Sequence, residues 1–140
     1  MTPDQCLRIR ASMEAIRDIK HPFVLLFYGK LFELDPSLRM LFDHDLGAQG
    51  RKFMSAIDSL SQSVTNLESI YPMLHELGRR HAQYGVRSEH YETLAFAFNW
   101  TLAQALGADF DLQTHMAWKA LIHEASAAMK AGANTPPPAW

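Results

Sequence analysis

Apolar residues recur every three or four positions along most of this chain, which is the spacing of one face of an α-helix. A stretch that begins at Pro22 is apolar around much of its circumference and indicates a largely buried helix, whose main face comprises Phe23, Leu26, Phe27, Leu31 and Leu34. A stretch from about Ala48 to Asn66 is apolar on one side, at Phe53, Ile57, Leu60 and Val64. Between Ile70 and Tyr84 the face consists of Leu74, Leu77, His81 and Tyr84, so a histidine stands on an apolar stripe.

Residues typical of helix ends define the remaining elements. Thr2-Pro3-Asp4-Gln5 has the pattern of a capping box and predicts a first helix that runs to about Ile19. Asp35-Pro36 predicts a short helical piece before Phe42. Ser88 and Asp111 are suited to cap the last two helices, 88–106 and 112–130. Three glycines mark helix ends, namely Gly85, Gly107 and Gly132.

No segment alternates apolar and polar residues over a useful length, and the sequence contains no Asn-Gly or Asp-Gly hairpin signal. We therefore expect an all-α domain of six or seven helices over residues 1–133. Residues 134–140 are rich in proline and are expected to form a disordered tail.

The composition narrows the class of protein. At 140 residues, 48% hydrophobic and 20% charged, the chain has the size and polarity of one globular domain. A net charge of −2 gives no broad positive field for nucleic acid or an anionic membrane. The single Cys6 excludes an intrachain disulfide and a CxxC pair, and no apolar run has the length of a signal peptide. We expect a cytoplasmic protein without nucleic-acid or membrane partners.

Common catalytic motifs do not occur in the sequence. His75-Glu76 and His123-Glu124 resemble the start of a zinc-peptidase motif, but Arg79 and Ala127 stand where the second histidine is needed. The sequence has no glycine-rich phosphate loop and no GxSxG. We interpret Asp43-His44-Asp45 as a solvated loop.

His81 gives the clearest indication of chemistry. A histidine on an apolar face is more often a core residue satisfied by one carbonyl than a metal ligand. Its companions favour a ligand: Tyr28 lies in the apolar helix, Gln49 stands one turn before Phe53, and Phe42 lies at a bend between them. One imidazole opposite two polar groups and several rings suits a planar metallocofactor. The alternative for Tyr28 is a core ring whose hydroxyl bonds a backbone carbonyl.

These residues stand in a pattern that resembles the globin family, in particular single-domain bacterial globins similar to the haem domain of flavohaemoglobins and to Hell's Gate-type globins. The resemblance covers about residues 3–131. It rests on Leu25-Leu26-Phe27-Tyr28, Leu41-Phe42, Gln49-Gly50-Arg51-Lys52-Phe53, Leu77-Gly78-Arg79-Arg80-His81 and His90-Tyr91, with Trp118 beyond them. Phe42 and His81 match features of all globins, whereas Tyr28 and Gln49 match the bacterial subgroup. The resemblance implies a globin fold around a haem pocket.

The resemblance also implies a role for each of these side chains. Residues in contact with the cofactor would be His81, Phe42, Phe53, Leu77, Val86 and Tyr91. His81 would be the proximal iron ligand, and the carbonyl of Leu77, one turn earlier, is placed to accept its other N–H. The haem would be b-type and held without covalent bonds, because the chain has no CxxCH site. Lys52 and Arg80 are candidates to meet the propionates.

On the distal side, the resemblance makes Tyr28 and Gln49 hydrogen-bond donors to the gas ligand, with Phe53 as the apolar wall. The chain departs from the flavohaemoglobin pattern in three ways. Tyr91 matches a tyrosine that works with a C-terminal glutamate, but the glutamate position falls near Ala133. Phe53 stands where leucine is more common, which narrows the distal cavity. Beyond the globin-like region the sequence has no stretch long enough for a flavin and nicotinamide domain, so we expect reducing equivalents to come from an external reductase.

The sequence thus predicts a haem protein that reversibly binds dioxygen and related ligands, including nitric oxide, carbon monoxide or sulfide. Its role would be oxygen storage or transport, or nitric oxide detoxification with a separate reductase. One alternative is a haem-based gas or redox sensor. A second alternative is a helical interaction domain without a cofactor.

Overall fold

A computed structural model describes residues 1–42 and 44–134, and within them the chain is helical without strands, as the sequence predicts. The α-helices of this part are α1 (Pro3–Ile16), α2 (Lys20–Leu34), α3 (Leu46–Gln62), α4 (Tyr71–Gln83), α5 (Ser88–Leu106) and α6 (Leu112–Ala133). Short 3-10 segments lie at Arg17–Ile19, Pro36–Leu41, Leu67–Ile70 and Gly107–Asp109. No described helix has both the length and the apolar character needed to cross a membrane. The predicted tail from residue 135 onward lies outside the described residues.

Several helix ends are those that the sequence predicts. Thr2 Oγ1 accepts from the backbone N–H of Gln5 at 3.1 Å, and the Gln5 side chain accepts from Thr2 N–H at 3.0 Å, so the capping box is confirmed. Asp111 caps α6 through the N–H of Thr114, at 2.9 Å. Gly85 and Gly107 have φ angles of +98° and +56°, the left-handed region that glycine tolerates at helix ends.

Other predicted ends are wrong. Helix α3 begins at Leu46, before Ala48, because Asp45 Oδ1 accepts from the N–H of Ala48 at 3.0 Å and caps the helix earlier. Arg87, not Ser88, holds the cap position of α5, and its backbone N–H donates to His90 Nδ1 at 2.9 Å. Gly132 does not end α6, which continues to Ala133.

The buried face of α2 differs from the predicted one. Leu26 and Leu34 are 44% and 41% exposed, whereas Val24 and Tyr28 are buried beside Phe23, Phe27 and Leu31. The face is rotated because α2 packs against both α3 and α5. On α4, Tyr84 is 68% exposed and does not belong to the predicted apolar face.

The core has two parts, and both bear on the candidate site. The larger part joins α2, α3, α5 and α6 through aromatic contacts, in which the Phe98 ring lies 6.1 Å from Phe27 and 5.2 Å from Trp118. A smaller cluster of Leu74, Ala125 and Ala128 lies between α4 and α6. Helix α2 thus presents Tyr28 from the larger core, while α4 carries His81 along α6.

Candidate functional site

Tyr28 stands in a cluster of aromatic rings. Its ring lies parallel to Phe32, one helical turn later, with centroids 5.8 Å apart. Phe42, at the end of the 3-10 segment Pro36–Leu41, meets the Tyr28 ring edge-on at 5.5 Å. The ring centroid of Phe53, on α3, lies 6.5 Å from that of Tyr28. The structure therefore brings three predicted site residues, Tyr28, Phe42 and Phe53, into one cluster.

The Tyr28 hydroxyl is buried and has no hydrogen-bond partner among the described residues. The alternative that it bonds a backbone carbonyl is thus wrong. Burial raises the pKa of Tyr28 to about 12, so the phenol is neutral and keeps its proton at physiological pH. Asn99 Oδ1 and Trp118 Nε1 are also buried without partners. Of these three groups, only the Tyr28 hydroxyl is part of a residue that the sequence predicts for the site.

Helix α3 carries Gln49 and Phe53 one turn apart, as the sequence spacing predicts. Gln49 is half-buried, and its side chain makes no hydrogen bond within the described part of the chain. Between them, Gly50 lets α3 approach α2, because a Cβ there would lie 2.7 Å from Val24 Cγ1 and 3.6 Å from Tyr28 Cε2. Sequence reasoning gave Gly50 no role, since only the helix crossing reveals the close approach.

His81 is half-buried near the end of α4, and its ring is oriented by one backbone contact. Nδ1 lies 2.7 Å from the carbonyl oxygen of Leu77, as the helical spacing predicts. A carbonyl only accepts, so Nδ1 carries the proton and donates it. The neutral ring then has its lone pair on Nε2, the state in which histidine binds a metal.

Two further predicted residues follow α4. Val86 is half-buried, and its N–H donates to the His81 carbonyl at 3.0 Å. Burial raises the pKa of Tyr91, which is also half-buried, and the Lys130 ammonium lies 5.5 Å from the centre of its ring. The contact with Lys130 was missed from the sequence, because α5 and α6 meet here only in the folded chain.

The described residues fit a haem. No three His, Cys, Asp or Glu side chains converge in the described part of the chain, so side chains alone do not form a metal site there. The predicted residues other than Tyr28 are all half-buried, so each keeps some exposed surface that a cofactor could cover; they are Phe42, Gln49, Phe53, Leu77, His81, Val86 and Tyr91. The Phe42 segment also approaches the end of α4, since a Cβ on Gly85 would lie 3.6 Å from Leu41 Cδ2. Among the described residues, no hydrogen bond or ring contact joins His81 to Tyr28, Gln49 or Phe53.

Comparisons with known proteins agree with this arrangement. The sequence profile of the globin family matches residues 25–129. Neuroglobin of Chaenocephalus aceratus is 28% identical to this chain in an alignment of 138 positions. The alignment covers 89% of this chain and 87% of that protein. A bacterial globin from Campylobacter jejuni superposes with a TM-score of 0.83 at 19% identity, over 94% of this chain and 96% of the other. An engineered carbene transferase, derived from a "putative nitric oxide dioxygenase" of Rhodothermus marinus, superposes with a TM-score of 0.83 at 22% identity. The superposition covers 95% of this chain and 93% of the other.

The matched range contains Tyr28, Phe42, Gln49 and His81, and the arrangement of helices is that of solved globins. The resemblance that the sequence indicates is confirmed, and the structural neighbours include a bacterial globin. The chain belongs to the globin family, the haem proteins that bind gas molecules.

Proposed function

We propose that this globin holds one haem b without covalent bonds, through His81, and that it binds dioxygen reversibly for storage or transport. The haem supplies an iron atom to which dioxygen and other diatomic gases bind. The observation that carries the proposal is the buried, unpartnered hydroxyl of Tyr28. The only cysteine, Cys6, is buried on α1 with Sγ 3.5 Å from the Val64 carbonyl, which supports a haem without thioether bonds.

On the proximal side, His81 would present Nε2 to the iron while Nδ1–H donates to Leu77. A carboxylate partner would make the imidazole more basic than this carbonyl does. Tyr91 has the ammonium of Lys130 over its ring, where the flavohaemoglobin pattern has a glutamate near this tyrosine. This proximal environment supports reversible binding of the gas over its activation.

On the distal side, Tyr28 would donate a hydrogen bond to the gas. A buried donor left without an acceptor costs roughly 1–3 kcal/mol, and a ligand that accepts the bond removes this cost. Dioxygen gains negative charge on its outer atom when it binds, whereas carbon monoxide stays nearly neutral. The phenol would therefore favour dioxygen by electrostatics, and Gln49 on α3 would be a second donor.

The Rhodothermus marinus neighbour supports a second candidate function, because its name describes a nitric oxide dioxygenase. In this case the globin would detoxify nitric oxide and would receive electrons from an external reductase. Consumption of nitric oxide by the oxygenated protein, sustained only when a flavin reductase and NADH are added, would favour this candidate over storage.

The spectrum of the purified protein after reconstitution with hemin tests the proposal. We expect a Soret band, a ferrous form that takes up and releases dioxygen in cycles, and free haem of unmodified mass under denaturing conditions. A protein that gains no Soret band would be the helical interaction domain without a cofactor. A covalent adduct in denaturing mass spectrometry would contradict a b-type haem.

A further inference from the structure

Helices α4 and α6 meet backbone to backbone at two points, and each point has a buried glycine. Gly78 of α4 lies against the backbone of Met129, and Gly132 of α6 lies against the backbone of His75. A Cβ on either glycine would overlap main-chain atoms of the opposite helix. Main-chain atoms cannot rotate away as the tip of a side chain can, so any larger residue must separate the two helices.

The two contacts form a regular seam. On α4, positions 75 and 78 contact positions 132 and 129 of α6, and the two contact positions are three residues apart on each helix. Leu74, Ala125 and Ala128 extend the seam as a separate apolar cluster. At its start, the Tyr71 hydroxyl donates to Glu124 Oε1 at 2.6 Å. Helix α6 thus supports α4 along most of its length.

His81 lies on the same stretch of α4. Gly78 stands three residues before His81, and the carbonyl that orients the His81 ring belongs to Leu77, directly before Gly78. Because one turn of α-helix is held by its own hydrogen bonds, Leu77, Gly78 and His81 move together. The contact of Gly78 with Met129 therefore lies within one helical turn of the imidazole and its acceptor.

We propose that Gly78 and Gly132 are positioning residues for His81: they hold α4 in backbone contact with α6 and so set the position of the imidazole relative to the haem. The inference rests on His81 as the haem ligand, as proposed above. It differs from the role predicted for Gly132, which was to end a helix. Under this proposal, the packing of α6 against α4 affects the geometry of the bond between His81 and the iron.

Resonance Raman spectra of the ferrous, ligand-free protein test this inference through the iron–histidine stretching band. We expect Gly132→Ala, which changes no residue of α4, and Gly78→Ala to shift or broaden this band. Both variants should change the association rates of dioxygen and carbon monoxide in parallel, because the proximal side affects both gases. Gly29→Ala is the matched control, since a Cβ at that exposed position of α2 meets nothing within 4 Å; its band should equal that of the wild type.

Each outcome decides a separate point. An iron–histidine band in Gly132→Ala identical to that of the wild type would overturn the positioning role. If both glycine variants fail to fold, Ala128→Ser, which adds one oxygen beside the Leu74 cluster, takes their place, and its unchanged band would overturn the inference equally. A wild-type protein without any iron–histidine band would contradict the proposed function itself, and would do so before any variant is compared.

Discussion

The ring of Phe53 on α3 lies flat against the ring of Phe27 on α2, with centroids 4.6 Å apart and planes 8° apart. The Phe98 ring meets Phe53 edge-on at 6.1 Å. Two aromatic neighbours therefore fix Phe53 in place beside Tyr28. The distal wall proposed here is thus a ring held by two aromatic contacts, whereas leucine, which is more common there in the bacterial subgroup, has more rotational freedom.

Phe53→Leu should accelerate the association of dioxygen and carbon monoxide alike, because the smaller side chain widens the distal space without removing a donor. The loss of the stacked contact should lower the free energy of unfolding of the haem-free protein by about 1–2 kcal/mol. Flash photolysis gives the association rates, and urea unfolding gives the stability. Association rates equal to those of the wild type would show that Phe53 is not part of the ligand path.

Tyr28→Phe should increase the rate of dioxygen dissociation on the order of 10- to 100-fold, the equivalent of one hydrogen bond to a charged group. Carbon monoxide dissociation should change far less. Gln49→Leu should act in the same direction by a smaller factor. Stopped-flow displacement measures these rates. A dioxygen dissociation rate unchanged within about twofold in Tyr28→Phe would assign the stabilising role to Gln49 or to water.

The same substitution should not destabilise the haem-free protein. The Tyr28 hydroxyl is buried without a partner, so its removal takes away a desolvation cost and no hydrogen bond. We expect Tyr28→Phe to unfold at the same or a higher urea concentration than the wild type. A clear loss of stability would reveal a hydrogen bond that the hydroxyl makes in the haem-free protein. We thus expect the Tyr28 hydroxyl to lower the stability of the haem-free protein and to slow dioxygen dissociation from the haem-bound protein.

Tyr28 should also affect stability at alkaline pH. Its pKa is about 12 in the folded protein against 10.0 for an exposed tyrosine, so the folded state keeps the proton longer than the unfolded state. Below pH 10 this difference has no effect, and as the pH rises from 10 to about 12 the folded state loses stability relative to the unfolded state. Urea unfolding of the wild type should therefore weaken more between these two pH values than unfolding of Tyr28→Phe. If the wild type and Tyr28→Phe lost equal stability over this pH range, the Tyr28 hydroxyl would be in contact with solvent in the folded protein.

Local signals predicted local structure well in this chain. The capping box at Thr2, the Asp111 cap and the contact of His81 with Leu77 each involve residues within four positions of one another, so their geometry follows from the helix itself. The same holds for Gln49 and Phe53, one turn apart on α3. The residues of the candidate site could be named from the sequence because the resemblance to globins supplied their roles.

Features that depend on distant segments could not be predicted. Helix α2 is apolar on nearly all sides, so periodicity could not show that Tyr28, and not Leu26, faces the core; contacts with α3 and α5 decide this. Gly132 has the local pattern of a helix end, but it serves a contact with His75, 57 positions away in sequence. The Lys130 ammonium over Tyr91 likewise requires α5 and α6 to be assembled.

His81→Gly should remove the proposed protein ligand to the iron and leave a space that fits free imidazole. We expect weaker retention of haem and loss of the stabilisation that haem confers on the folded state, with a five-coordinate ferrous spectrum restored by added imidazole. Ala82→Gly is the matched control, because it places the same poor helix former, at a cost of about 1 kcal/mol, on the neighbouring exposed position of α4. Absorption spectra and the rate of haem transfer to an acceptor globin measure the effect. If Ala82→Gly loses haem as fast as His81→Gly, the loss reflects damage to α4. If His81→Gly keeps the wild-type ferrous spectrum without imidazole, another residue binds the iron.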